Sequence, residues 1–228
     1  MALSPRLRRA LLWPTLAVVL IWLVFLLEYV LGVEWAIYGI APRRLYALRG
    51  IFFTPFLHGD WGHILSNTLP LFSLMALILY FYPRVAVRAL LMIYLGTGVT
   101  MWLLADPEAM FMPMRASTYH IGASGVIYGM VTFLAWTGIF RRNVRAIAIA
   151  LVVVFYYGGL VWGVFPGQVG ISWEGHLLGA LVGVFVAYWF RDRIEEAEAR
   201  RKPSWEDHPD EERFFLPRDT FDRNKYQR

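Results

Sequence analysis

Ile121-Gly122-Ala123-Ser124-Gly125-Val126-Ile127-Tyr128-Gly129 opens a mostly apolar run that continues to Phe140 and is closed by Arg141-Arg142. About 20 such residues in helical conformation cross the hydrocarbon of a bilayer. The stretch therefore reads as a membrane span with a serine at its mouth. Similar runs lie on both sides of it. Leu11 to Val33, Gly62 to Tyr82 and Val85 to Ala105 precede it; Val144 to Phe165 and Ile171 to Phe190 follow. Of the 228 residues, 58% are hydrophobic and 17% charged, too apolar a balance for a soluble chain of this size. The predicted fold class is an all-α polytopic membrane protein, a single bundle of six transmembrane helices over residues 11–190. The first run is too long for a signal-peptide core and lacks a small-residue cleavage pattern, so it is expected to be retained.

The flanks are soluble in character. Residues 1–10 are short and basic, with Arg6, Arg8 and Arg9. Residues 191–228 hold ten basic and eleven acidic side chains and are predicted to form a charged, disordered tail after a short helical extension. Residues 34–61 form a first loop rich in aromatics, expected to lie in the interface. The net charge of +5 resides mostly in short loops and reads as topology, with no nucleic-acid partner implied. With the N-terminus inside, ten arginines fall on the cytoplasmic side (6, 8, 9, 84, 88, 141, 142, 145, 191 and 193) against four outside (43, 44, 49 and 115). That bias favours N-in, C-in, in a cell inner or plasma membrane, although three of the four outer arginines sit in the first loop. The chain has no cysteine, which removes disulfides, a cysteine nucleophile and thiolate metal sites.

In this topology spans two, four and six all run from outside to inside. Each begins with polar residues that hydrocarbon does not welcome: His63 and Asn67, Ser124, and His176. Such groups usually face a bundle interior or a watery cavity. Gly125 and Gly129 on span four, and Gly175, Gly179 and Gly183 on span six, repeat at four-residue spacing. Small-xxx-small faces let helix backbones approach closely. Close packing of these two spans brings Ser124 towards His176, a hydroxyl towards the base that it needs to become a nucleophile. Ser124 also lies in the first turn of its helix, where unpaired N–H groups and a positive dipole favour an oxyanion. His63 and Asn67, four apart, share a face, and both can donate hydrogen bonds.

Each feature has a plainer reading alone. A GxSG tetrapeptide is a packing motif, an interfacial histidine an anchor, and Asn67 a helix–helix hydrogen bond. His58 and His120 fall in loops and read as solvated or supporting. Their conjunction at one depth is what points to chemistry.

The chain resembles the rhomboid intramembrane serine proteases. The resemblance covers residues 11–190 and rests on three stretches. These are His58-Gly59-Asp60-Trp61-Gly62-His63 with Asn67, Gly122-Ala123-Ser124-Gly125 with Tyr128, and Gly175-His176-Leu177-Leu178-Gly179 with Gly183. It implies Ser124 as nucleophile and His176 as general base, a dyad without a carboxylate. It implies His63, Asn67 and the Ser124 N–H as the oxyanion hole, and Tyr128 packed against the His176 ring. Gly122, Gly125 and His58 would be supporting residues. Glu174, two positions from His176, points to a different face and is not assigned to the dyad. The implied activity is endoproteolysis of transmembrane segments of other proteins, with no metal or cofactor. The Trp-Arg pair of many members' first loop is absent; Pro42-Arg43-Arg44 stands in that loop, so its docking is expected to differ.

Three alternatives are distinguishable. A catalytically inactive relative that binds or chaperones membrane proteins would usually have lost Ser124 or His176. A metal or haem protein could use His58, His63, His120 and His176, but the chain has no H-E-x-x-H motif. A transporter predicts internal pseudo-symmetry, which is not found.

Overall fold

The computed structural model describes residues 4–107, 118–167 and 172–193. They all fall within one compact unit, Met1–Arg193. The predicted tail lies, from residue 194 on, outside the described residues. Every named element is helical, and the only bridge between extended segments among the described residues joins Ile40 and His120.

Helix α1 spans Pro5–Leu31 and so begins six residues before the expected span. The reason is local: Ser4 caps it by accepting the Leu7 N–H at 3.2 Å, and Pro5 occupies the first helical position. Gly32 ends it in the left-handed conformation. The first loop is broken into short turns at Trp35–Tyr38 and Leu45–Ala47, the one-turn helix α2 (Gly50–Phe53) and a turn at Thr54–Phe56. Helix α3 (Trp61–Phe81) is capped by Asp60, whose Oδ1 accepts the His63 N–H at 2.8 Å. Helices α4 (Ala86–Leu104) and α5 (Ser124–Arg141) follow. Helix α6 is α-helical only over Val144–Tyr157 and continues as a 3-10 turn over Gly158–Val164. The Gly158-Gly159 pair, poor in helix propensity, marks the change. Helix α7 (Trp173–Trp189) is capped by Ser172.

Helix α5 is the centre of the bundle. It contacts α3, α4, α6 and, most extensively, α7, while α1 packs on α3. Among the described residues, four helical segments are long and apolar enough to cross a membrane: Pro5–Leu31, Trp61–Phe81, Ala86–Leu104 and Val144–Val164. The two remaining long helices, α5 and α7, are the innermost pair. Their small and polar residues serve contact with each other, and α7 has only 17 residues. Leucines and aromatics of the outer helices, such as Leu23, Leu69 and Phe155, point outward uncovered. That surface suits hydrocarbon, in which an exposed leucine costs nothing.

The expected glycine stripes meet face to face. A Cβ at Gly179 would overlap the backbone carbonyl of Gly125, and one at Gly183 that of Gly129. The Thr132 hydroxyl adds a hydrogen bond across the seam to the Ala180 carbonyl at 2.8 Å. Gly179→Leu is expected to force α5 and α7 apart and destabilise the fold by about 1–3 kcal/mol or more. A lowered unfolding temperature in detergent checks this; Leu181→Val, a change on the exposed face of α7, serves as the control.

Candidate active site

The segment before α5 is held from behind by the first loop. His120 and Ile40 exchange backbone hydrogen bonds, His120 N–H to the Ile40 carbonyl at 2.8 Å and Ile40 N–H to the His120 carbonyl at 3.0 Å. The Thr54 hydroxyl donates to the His120 carbonyl at 3.2 Å, and the Gly122 N–H donates to the Thr54 carbonyl at 2.9 Å. Gly122 then turns the chain with φ +107°, a conformation that favours glycine. A Cβ there would also collide with the His63 imidazole. This turn explains why α5 starts at Ser124, three residues later than the expected span. Ala123 offers no side-chain cap, so the first N–H groups of α5 lack that partner.

Ser124 Oγ lies 2.8 Å from His176 Nε2. His176 Nδ1 lies 2.9 Å from the Gly163 carbonyl oxygen. A carbonyl only accepts, so Nδ1 carries the proton and Nε2 presents its lone pair to the serine hydroxyl. The imidazole stacks on Tyr128, with ring centroids 4.1 Å apart and planes 9° from parallel. The Tyr128 hydroxyl is itself fixed, donating to the Leu160 carbonyl at 2.6 Å. Both carbonyls belong to the 3-10 turn after α6. A Cβ on Gly163 would strike the Tyr128 hydroxyl and His176 Nδ1. Both nitrogens of His176 are thus engaged, by Ser124 and Gly163 and not by Glu174.

A cavity of about 890 Å³ opens over this pair, and Ser124, His176, His63 and Asn67 all line it. Asn67 is 5% exposed, and its Nδ2 has no hydrogen-bond partner. A buried donor left unpaired costs about 1–3 kcal/mol, so it reads as a group kept for something that enters the cavity. Gly125 lies under Thr97 and the Gly175 carbonyl, where the two helices approach. His58 lies behind His63, with ring centroids 4.9 Å apart.

Of the two readings open for the loop histidines His58 and His120, solvated or supporting, burial removes the first. They are 2% and 6% exposed. Burial, aided by the neighbouring His63, pulls His58 down from its ordinary 6.5 to about 4. Burial also lowers His120. A histidine held neutral in the fold but free to protonate when unfolded costs stability as pH falls. The contribution of His58 is complete above pH 6.5 and lost progressively towards about 4. The unfolding temperature is thus expected to drop between those values, and less steeply in His58→Gln.

Sequence reasoning missed the backbone partners. Gly163 and Leu160 act through carbonyls, which carry no residue-type signature. It also missed how the first loop docks. Arg43, in the left-handed conformation, donates through its guanidinium to the Ala105 and Asp106 carbonyls, at 2.7 Å each, and so caps the end of α4. Trp102 Nε1 returns a bond to the Arg44 carbonyl at 3.0 Å.

Known sequences place the chain. An uncharacterized protein of Mycobacterium tuberculosis is 38% identical over 188 residues, covering 81% of this chain and 77% of the relative, and one of Mycobacterium bovis matches to the same extent. One of Mycobacterium leprae is 39% identical over 153 residues, 66% of this chain and 59% of the relative. The Rhomboid domain family matches residues 45–193. With that match over the bundle that holds Ser124 and His176, and with its apolar helices, the chain is an integral membrane protein that belongs to the rhomboid family.

Proposed function

We propose that the protein is an intramembrane serine endopeptidase that cuts transmembrane segments of other membrane proteins near the outer face. The observation that carries this reading is the Ser124–His176 pair, 2.8 Å apart, with the imidazole proton held on the far nitrogen by Gly163. In this reading all six long helices cross the membrane, N-in and C-in, and the charged tail is cytoplasmic.

In this reading the side chains around the cavity divide the chemistry between them. As the Ser124 oxygen bonds to the scissile carbonyl carbon, its proton passes to His176 Nε2. The carbonyl oxygen becomes an oxyanion, stabilised by His63, Asn67 and the Ser124 N–H at the positive end of α5. His176 gives the proton to the leaving amine as the C–N bond breaks. Water then attacks the acyl-enzyme, His176 takes its proton, and the proton returns to Ser124 as the acid departs. Tyr128 and the Gly163 carbonyl hold the imidazole in one orientation and tautomer, part of what an aspartate supplies in a triad. A substrate helix must unwind locally to expose its backbone, so small or helix-breaking residues are expected around the cut.

The test is a fluorophosphonate applied to detergent-solubilised, metal-free protein, together with a panel of tagged transmembrane substrates. Phosphonylation of Ser124 and cleavage near the outer face are expected. An unlabelled Ser124 with every substrate intact would leave the inactive, membrane-protein-binding relative as the better description.

A further inference from the structure

The dyad is assembled from two helices, and the seam between them is smooth. Opposed glycines allow α5 and α7 to come close, but a glycine has no side chain with which to make a polar link across the seam. The Thr132–Ala180 hydrogen bond lies two turns below Ser124. At the level of the dyad itself a different link spans the two helices. His120 Nδ1 and Ser172 Oγ are joined by a hydrogen bond of 2.6 Å.

Both ends of this link are anchored. On one side His120 is fixed through its backbone to Ile40 and Thr54, and four residues later the chain reaches Ser124. On the other side Ser172 is the cap of α7. Its Oγ accepts the Gly175 N–H at 3.3 Å, and its carbonyl accepts the His176 N–H at 3.2 Å. Ser172 caps its helix through bonds to its own chain and does not need His120 for that. The imidazole of His120, 6% exposed with Nε2 lacking a partner, is an expensive side chain to bury. An apolar residue of its size would fill the space without that cost. What the histidine adds is the tie to Ser172.

We propose that His120 is a positioning residue. Its bond to Ser172 fixes the start of α7 against the start of α5 and thereby sets the reach of His176 to Ser124. The proposal rests on the reading of Ser124 and His176 as the catalytic pair. Displacements of about 1 Å between reacting groups can cost on the order of 100-fold in rate.

The experiment compares wild type with His120→Ala, His120→Asn and His120→Gln in detergent. It measures the rate of fluorophosphonate labelling at Ser124, kcat and KM on a cleaved transmembrane substrate, and the unfolding temperature. The asparagine amide sits one bond beyond Cβ, where Nδ1 of the histidine attaches, so it can keep the bond to Ser172. The glutamine amide lies one bond further out and cannot. His120→Ala and His120→Gln are expected to label and turn over about 10- to 100-fold more slowly, with KM little changed and His120→Asn within a few-fold of wild type. Should the alanine variant fail to fold, the comparison of asparagine with glutamine decides. Equal labelling by wild type and all folded variants would overturn the positioning role and leave the dyad standing. Equal slowing of asparagine and glutamine together with lost stability would also overturn it, since packing would then be the whole contribution. A wild-type protein unlabelled at Ser124 would remove the dyad reading, and this proposal with it.

Discussion

Ser124→Ala and His176→Ala are each expected to abolish cleavage of a tagged transmembrane substrate, with a fall in kcat on the order of 10⁴- to 10⁶-fold. In the proposed mechanism the two side chains act as one unit. Without the hydroxyl there is no acyl-enzyme, and without the imidazole the hydroxyl keeps its proton. The double variant should therefore be scarcely slower than either single one, and that non-additivity is the signature to look for. Stability should respond differently at the two positions. Ser124 contributes a small side chain at a cavity wall, so its removal should leave the unfolding temperature nearly unchanged. His176 packs flat on Tyr128, so its removal should lower it. Quantified product bands at matched protein levels give the rates. A Ser124→Ala protein that retains more than about 1% of wild-type turnover would rule out the covalent mechanism, given the size of the loss a nucleophile deletion produces.

His63→Ala and Asn67→Ala should each lower kcat by about 100- to 1,000-fold, the usual consequence of removing one oxyanion donor, with much smaller changes in KM. Asn67 allows a sharper test. If its amide served only to join helices, its loss would cost stability, about 0.6 kcal/mol for an average bond within a membrane. Its Nδ2 is buried and unpaired at rest. Asn67→Ala should then leave the unfolding temperature unchanged or raise it while activity collapses. A parallel fall of stability and activity would assign Asn67 to packing.

The two halves of this site were unequally legible. The helices were readable from their apolar runs, but length and apolarity alone mark only four of the described segments as able to cross a membrane. Ser124, His63, Asn67 and His176 stood out because polar side chains at the mouths of apolar runs are costly and few. The glycine repeats announced which helices could come close. Helix ends were less legible. The six extra residues at the start of α1 depend on the Ser4 cap and on Pro5, and the 3-10 turn after α6 looked like the continuation of an apolar span. The sequence left the loop histidines open between solvated and supporting, because burial is not a local property. His58 and His120 sit among polar and turn residues in the chain, yet the fold covers both.

By itself, then, the sequence determined that the chain is a helical membrane protein, which helices can pack closely, and which side chains are available for chemistry. Each of these is written in residue type and spacing. The tertiary structure alone decided that the His176 proton sits on Nδ1, that the group holding it is the Gly163 carbonyl, and that His120 reaches Ser172 across 52 residues of chain. It also turned Arg43 into the cap of α4. The physical reason is common to all of them. These partners are backbone atoms, or side chains distant in sequence. Every residue carries the same carbonyl, so only the path of the chain selects which one accepts the bond.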